Sequence, residues 1–212
     1  MATEETIAGA TRITLLRHGE VDGRAHVFRG TLDDPLTPAG LARMKRSAEN
    51  LAHPAFDRVA SSPRMRCAAF AREYCAARAL PLDVLPAFAE VDFGVWEGLT
   101  PDEASLRDPE AYRHYRLSGG REAPPCGESL DRFRRRVVTG WGDWLADADD
   151  GHRLLVTHAG VMRVLLMELI GLPIDHLYRI ALPEAANFTV SILPGSAPVL
   201  LGLNIGLPPC VD

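Results

Sequence analysis

The strongest constraint in this sequence is an alternation. Short apolar runs, Arg12–Leu16, Phe56–Ser61, Leu82–Leu85 and Arg153–Thr157, take turns with longer stretches whose apolar residues recur at helical spacing. Those stretches predict helices over Thr37–Leu51, Pro63–Ala77, Glu128–Leu145 and Gly160–Ile170. In the third, Leu130, Phe133, Val137, Trp141 and Trp144 fall at steps of three and four, which puts them on one face of an α-helix. In the first, Thr37 is placed to cap the helix and Pro38 suits its first turn. Two later runs, Phe188–Leu193 and Val199–Leu203, flank the turn Pro194–Ser196 and read as closing strands. Strands separated by helices return parallel to one another. The pattern therefore predicts an α/β fold, a three-layer α/β/α sandwich with a mostly parallel sheet.

Composition narrows the function. With 212 residues, 47% of them hydrophobic and 24% charged, the chain suits one large domain with an ordinary core. We expect a single domain over 1–212 with a small inserted cap at about 99–125, because Leu99–Pro125 is polar, rich in Gly and Pro, and weakly helical at most. The net charge of −5 argues against a nucleic-acid partner. Lys45 is the only lysine, so Schiff-base and P-loop chemistry are nearly excluded. Cys67, Cys75, Cys126 and Cys210 are irregularly spaced, with no pair in the pattern of a zinc or redox motif. Met1–Ala10 holds Glu4 and Glu5 and no apolar run of a signal peptide. The longest apolar candidate, Gly160–Leu172, is broken by Arg163 and Glu168, short of the ~20 residues that span a bilayer. The expected setting is the cytoplasm, with no membrane partner.

In open parallel sheets, ligands bind beyond the carboxyl ends of the strands. After the first run come Arg17, His18, Gly19 and Glu20; after the second, Ser61, Ser62, Pro63, Arg64, Met65 and Arg66. The third leads to Phe88, Ala89 and Glu90, and the fourth to His158, Ala159 and Gly160. Taken singly, each is an ordinary residue: a surface or satisfied histidine, a solvated glutamate, arginines on a helix face. His26, His53, His114, His152 and His176 keep that bland reading. At four successive strand ends the set converges if the strands share a sheet. Two arginines and a histidine around one point make an anion site, since the planar guanidinium fork matches phosphate oxygens. A histidine among cations stays neutral, and a neutral imidazole nitrogen is a competent nucleophile toward phosphorus. A nearby glutamate suits the role of general acid to the leaving oxygen.

These residues resemble the histidine phosphatase superfamily, also called phosphoglycerate mutase-like proteins. Leu16-Arg17-His18-Gly19-Glu20 is similar to its signature, and Asp34-Pro35-Leu36-Thr37-Pro38-Ala39-Gly40 to its D-x-P-L-T-x-x-G stretch. Ser61-Ser62-Pro63-Arg64-Met65-Arg66 resembles S-S-x-L-x-R, and Glu90 to Gly98 resembles E-x-x-x-G-x-W-E-G. Gly127-Glu128-Ser129 and Val156-Thr157-His158-Ala159-Gly160 match two further segments, so the resemblance runs from about Arg12 to Leu203. It implies that His18 is the phosphohistidine nucleophile. Arg17, Arg66 and His158 would hold the equatorial oxygens of the transferring group. Glu90 would protonate the leaving alkoxide and then deprotonate water, and Ala159 would offer a backbone N–H to the phosphate. It implies no metal and no cofactor. Two departures stand out. The asparagine usual a few residues after R-H-G-E is missing from Val21-Asp22-Gly23-Arg24, leaving Arg24, His26 and Arg29 as stand-ins. Arg64 replaces the usual leucine, and spacing favours Arg66 as the phosphate ligand.

The stretch after Glu97 is short and lacks the adjacent arginine pair that resembling mutases use for a substrate carboxylate, which favours a phosphatase over a mutase-type phosphotransferase. Val27-Phe28-Arg29-Gly30 and the segment Pro124-Pro125-Cys126-Gly127-Glu128-Ser129 resemble the alpha-ribazole phosphatase-like branch. The expected partner is a small phosphorylated metabolite, and a homodimer is left open. A non-catalytic phosphate-binding module is the alternative from another class. Cys126 and Arg132 satisfy C-x5-R, but Glu128 and Asp131 inside that loop would repel phosphate and raise the thiol pKa.

Overall fold

The computed structural model describes residues 9–146 and 151–205. Most of Met1–Ala10, and Cys210, lie outside the described residues. The expected α/β architecture is found. A six-stranded sheet runs β1 (Thr11–Arg17), β2 (Arg58–Ser61), β3 (Leu82–Val84), β4 (Gly151–Thr157), β5 (Asn187–Ile192) and β6 (Val199–Asn204), in the spatial order β3-β2-β4-β1-β5-β6. The first four strands are mutually parallel, and β5 and β6 close the sheet antiparallel, as a hairpin must.

Alternation along the strands builds the two outer layers. Ile13 and Leu15 of β1 and Leu155 of β4 face one apolar cluster, shared with α5 (Leu130–Leu145) and α6 (Ala159–Ile170). Leu16 of β1 and Leu154 and Val156 of β4 face the other, shared with α1 (Pro38–Leu51) and α2 (Met65–Ala76). Each central strand is thus buried on both sides, as a parallel sheet requires. Thr37 caps α1 by accepting the Gly40 N–H at 2.9 Å. All five apolar positions read along α5 are buried. His152 is a satisfied core histidine, bonded to Thr14 Oγ1 and to the Pro54 carbonyl, each at 2.8 Å.

The structure corrects the reading of Leu99–Pro125. Two helices stand there, α3 (Pro101–Arg107) and α4 (Pro109–Leu117). Their starts are chemically specified. Thr100 Oγ1 accepts the Glu103 N–H at 3.2 Å while Glu103 Oε2 accepts the Thr100 N–H at 2.9 Å, a capping box with Pro101 in the first turn. Asp108 caps α4 by accepting the Ala111 N–H at 3.1 Å, with Pro109 next. Both helices are too short to show an apolar period, so only their caps and first-turn prolines mark them. They pack on Trp96, Ala104, Tyr115 and Phe28, an apolar cluster apart from the two main ones. Among the described residues no helix is long and apolar enough to cross a membrane.

Candidate active site

Register brings the predicted residues together. Arg17 pairs with Thr157 across β1 and β4, and Ser61 pairs with Val156 across β2 and β4. The residues that follow, His18, Ser62 and His158, therefore leave the sheet side by side. His18 N–H still reaches the Thr157 carbonyl at 2.9 Å, and Ser62 N–H the Val156 carbonyl at 3.0 Å. The His18 and His158 rings meet edge-on with centroids 5.3 Å apart. The turn after His18 needs glycine on both sides of a close backbone approach. A Cβ on Gly19 would lie 2.4 Å from the Gly40 carbonyl oxygen, and one on Gly40 2.3 Å from that of Glu20.

His18 is 6% exposed. Its Nδ1 lies 2.8 Å from the Gly19 carbonyl oxygen, which can only accept, so Nδ1 carries the proton and Nε2 keeps its lone pair. Burial first, then the charges of Arg17 and Arg66, hold its pKa well below the ordinary histidine range, against a lift from the Gly19 bond. The ring is neutral, with its lone pair on the nitrogen away from the backbone. His158 is neutral too, held down by burial, then by Arg66 and by His18. Arg66 Nε–H donates to His158 Nδ1 at 3.3 Å, and since a guanidinium cannot accept, the His158 proton is on Nε2. That Nε2–H donates to Ser62 Oγ at 2.7 Å. Ser62 Oγ also accepts the Arg64 N–H at 3.2 Å, which leaves its own hydroxyl proton to give. Sequence reasoning listed Ser62 without a role; the signal was its place one residue past a strand end.

The arginines separate into classes. Arg17 donates Nη1–H to the Leu182 carbonyl at 2.6 Å, while its Nε is buried with no acceptor. Burial lowers its pKa, and Glu184 and Glu90 raise it. Arg66 is fully buried. Its Nη1 reaches the Leu32 carbonyl at 2.5 Å and its Nη2 those of Arg29 and Gly30 at 3.3 and 3.2 Å. Its charge acts on both histidines, yet most of its N–H groups hold the 29–32 loop. Arg24 is turned away, paired through both Nη atoms with Glu103 of α3 at 2.7 Å. Arg29 donates Nε–H to Asp34 at 2.7 Å and Nη2–H to the Arg24 carbonyl at 2.6 Å, and its charge is felt at His18. Of the stand-ins for the missing asparagine, Arg29 is the one whose charge acts on His18; His26 is exposed. Arg64 lines a cavity of about 300 Å³ together with Glu90.

Glu90 is held at the start of α6. Its Oε2 accepts the Gly160 N–H at 3.0 Å and its Oε1 the Val91 N–H at 3.1 Å. Ala159, the first residue of α6, has an N–H with no intrahelical acceptor. Glu97 escaped the sequence reading except as a motif letter. Its carboxylate accepts the N–H groups of Gly30, Thr31, Leu32 and Phe93 at 2.9–3.2 Å. The Cys126 loop does not form a phosphate cradle. Gly127 N–H and Glu128 N–H are spent on the Pro124 and Asp92 carbonyls, both at 2.8 Å. Cys67, behind His158, is pushed up to about 12 by burial and stays a thiol. Among the described residues no group of three or more His, Cys, Asp or Glu is arranged to hold a metal ion.

The model of the histidine phosphatase superfamily (branch 1) matches residues 13–205. The adenosylcobalamin/alpha-ribazole phosphatase of Salmonella typhimurium is 30% identical over 187 residues, 88% of this chain and 93% of that protein. The glucosyl-3-phosphoglycerate phosphatase of Mycolicibacterium vanbaalenii is 31% identical over 173 residues, 78% of this chain and 76% of that protein. The crystal structure of the alpha-ribazole phosphatase from Shigella flexneri superposes with a TM-score of 0.79 at 26% identity, over 93% of this chain and 99% of that one. With the family model spanning both strand-end histidines and the glutamate between them, this chain belongs to branch 1 of the histidine phosphatase superfamily.

Proposed function

We propose that the protein is a phosphatase that hydrolyses small-molecule phosphate monoesters through a phosphohistidine at His18, without a metal ion. The observation that carries this reading is the state of His18: neutral, proton fixed on Nδ1 by the Gly19 carbonyl, Nε2 lone pair free beside the buried guanidinium of Arg17. Nε2 attacks phosphorus and the ester P–O bond breaks. Arg17, Arg66, Ser62, His158 and the Ala159 N–H offset charge on the phosphoryl oxygens, where stabilisation in the transition state matters most. Glu90 gives its proton to the departing alkoxide. The carboxylate then takes a proton from water, the resulting hydroxide attacks phosphorus, and the N–P bond breaks to release inorganic phosphate. Guanidinium groups supply the positive charge that a metal ion would supply elsewhere.

The leaving group lies under α3 and α4, which act as a cap within a single domain. A cavity of about 530 Å³ there is lined by Phe28, Tyr112, Tyr115 and Tyr178. Tyr115 and Tyr178 also line a smaller space of about 60 Å³ that reaches Glu90 and Gly160. Aromatic walls suit a leaving group with a planar aromatic part. This supports an alpha-ribazole phosphatase-like substrate, in line with the names of several relatives. The test is acid quench of the protein mixed with radiolabelled p-nitrophenyl phosphate. Acid-labile label on His18, lost in His18→Ala, and turnover that survives EDTA and is blocked by vanadate are expected. Loss of activity in EDTA restored by magnesium, or turnover in His18→Ala, overturns the reading. Ranking alpha-ribazole phosphate, phosphoserine and 3-phosphoglycerate by kcat/KM then tests the substrate, and alpha-ribazole phosphate is expected to lead.

A further inference from the structure

Glu97 stands outside the phosphoryl site, yet a continuous set of hydrogen bonds runs from its carboxylate into that site. Its two oxygens take the N–H groups of Gly30, Thr31 and Leu32, and the N–H of Phe93 from the chain alongside. The carbonyls of the same short loop, at Arg29, Gly30 and Leu32, face the other way and are held by both Nη atoms of Arg66. The loop is thus fixed on its donor side by a glutamate and on its acceptor side by an arginine. No room remains for drift at its centre, where a Cβ on Gly30 would fall 1.8 Å from the Val91 carbonyl oxygen. Fixing the loop fixes the plane of the Arg66 guanidinium. With Nη1 and Nη2 engaged by the loop, Nε–H is the donor left on the histidine side, and it meets His158 Nδ1 at 3.3 Å.

That last bond decides which nitrogen of His158 carries the proton. Neutral imidazole has one N–H, and the other ring nitrogen accepts. A donor at Nδ1 forces the proton to Nε2, the nitrogen that faces Ser62 Oγ at 2.7 Å. We infer that Glu97 is a positioning residue which, through the 30–32 loop and Arg66, holds His158 in its Nε2–H tautomer, so that His158 donates to Ser62 Oγ and Ser62 keeps its own hydroxyl proton for a phosphoryl oxygen. The inference rests on the phosphatase reading for its catalytic consequence, but the tautomer itself is a property of the resting protein. A lone pair in place of the Nε2 proton would accept the Ser62 hydroxyl proton and leave Ser62 facing the oxyanion with a lone pair. The general precedent is a second partner that fixes the tautomer of a working histidine.

The test reads the tautomer directly. Long-range 1H–15N correlation spectra of 15N-histidine-labelled protein, assigned through His158→Gln, report which ring nitrogen is protonated. The wild-type protein shows one His158 tautomer, protonated at Nε2. Glu97→Gln keeps one acceptor oxygen but turns an NH2 group toward backbone donors, and is expected to give a tautomer mixture, with kcat for p-nitrophenyl phosphate down about tenfold and KM changed less. Arg66→Lys is the second variant. It keeps the charge but loses the planar fork, so it gives the same mixture even if Glu97→Gln folds poorly. A wild-type His158 protonated at Nδ1, or an unchanged Nε2–H signal in either variant, overturns the inference. Failure of the hydrolytic reading is a separate result, because absence of turnover leaves the spectra intact.

Discussion

Gly160→Ala isolates the role assigned to Glu90. The Cβ it adds would lie 2.2 Å from Glu90 Oε1, 3.0 Å from Cδ and 3.3 Å from Oε2. A carbon–oxygen contact needs about 3.2 Å or more, so the carboxyl group must retreat by about 1 Å, and the Gly160 N–H bond to Oε2, now 3.0 Å, is stretched past usefulness. A displacement of about 1 Å in a reacting group can cost roughly 10²-fold in rate. The cost falls on the step that needs the proton. For an alkyl phosphate, whose alkoxide leaves poorly, kcat/KM is expected to drop about 100-fold. For p-nitrophenyl phosphate, whose phenolate leaves unaided, the drop is expected to stay within about threefold. Stability is expected to fall by about 1 kcal/mol, the net worth of the lost Gly160 N–H bond, since the displaced group is the end of a flexible side chain. The assay is a pair of steady-state measurements on the two esters alongside a urea melt. An equal loss on both esters, or full activity on the alkyl ester, refutes the placement of Glu90 as the proton donor.

Three further outcomes follow from the same geometry. Glu90→Gln removes the proton outright and is expected to cost 10²–10⁴-fold on alkyl phosphates in steady-state kinetics, with a smaller loss on p-nitrophenyl phosphate, in the range of general acid–base effects. His18 and His158 are both held neutral below the ordinary value of 6.5. Below pH 6.5 the unfolded chain therefore takes up protons that the folded one refuses, and stability falls by about 1.4 kcal/mol per pH unit for each histidine until its folded pKa is reached. In urea melts between pH 7.5 and 5, His158→Gln should show a slope shallower by about that amount, and an unchanged slope would count against burial in the neutral form. Trp96→Ala, which empties the centre of the α3–α4 cluster, should destabilise the protein by about 3–5 kcal/mol in the same melts, as truncation of a buried aromatic does.

Much of the sheet and its helices was legible because burial writes itself into periodicity. Leu154, Leu155 and Val156 are apolar without interruption since β4 is covered on both faces, and α5 shows a five-residue stripe since only one face is covered. The α3–α4 pair was not legible because its helices are set by caps at Thr100 and Asp108 rather than by an apolar stripe. The site divides in a similar way. That His18, Ser62 and His158 lie side by side was legible from the strand ends, because register sets which residues leave the sheet together. The pairing of Arg24 with Glu103 was not legible, because its partner lies 79 residues away.

The sequence by itself determined the layer architecture, the strand ends and the identity of the groups that meet there, because hydrophobic alternation and chain order fix which residues follow each strand. Protonation was decided only by the tertiary structure. Whether His18 offers Nε2 or Nδ1, and whether His158 donates or accepts, depends on which atom of Gly19, Arg66 and Ser62 lies within 3.3 Å of each ring nitrogen. A neutral imidazole takes its tautomer from its neighbours; for His18 that is the next residue in its turn, and for His158 they are Arg66 of α2 and Ser62 after β2, which only folding brings to it.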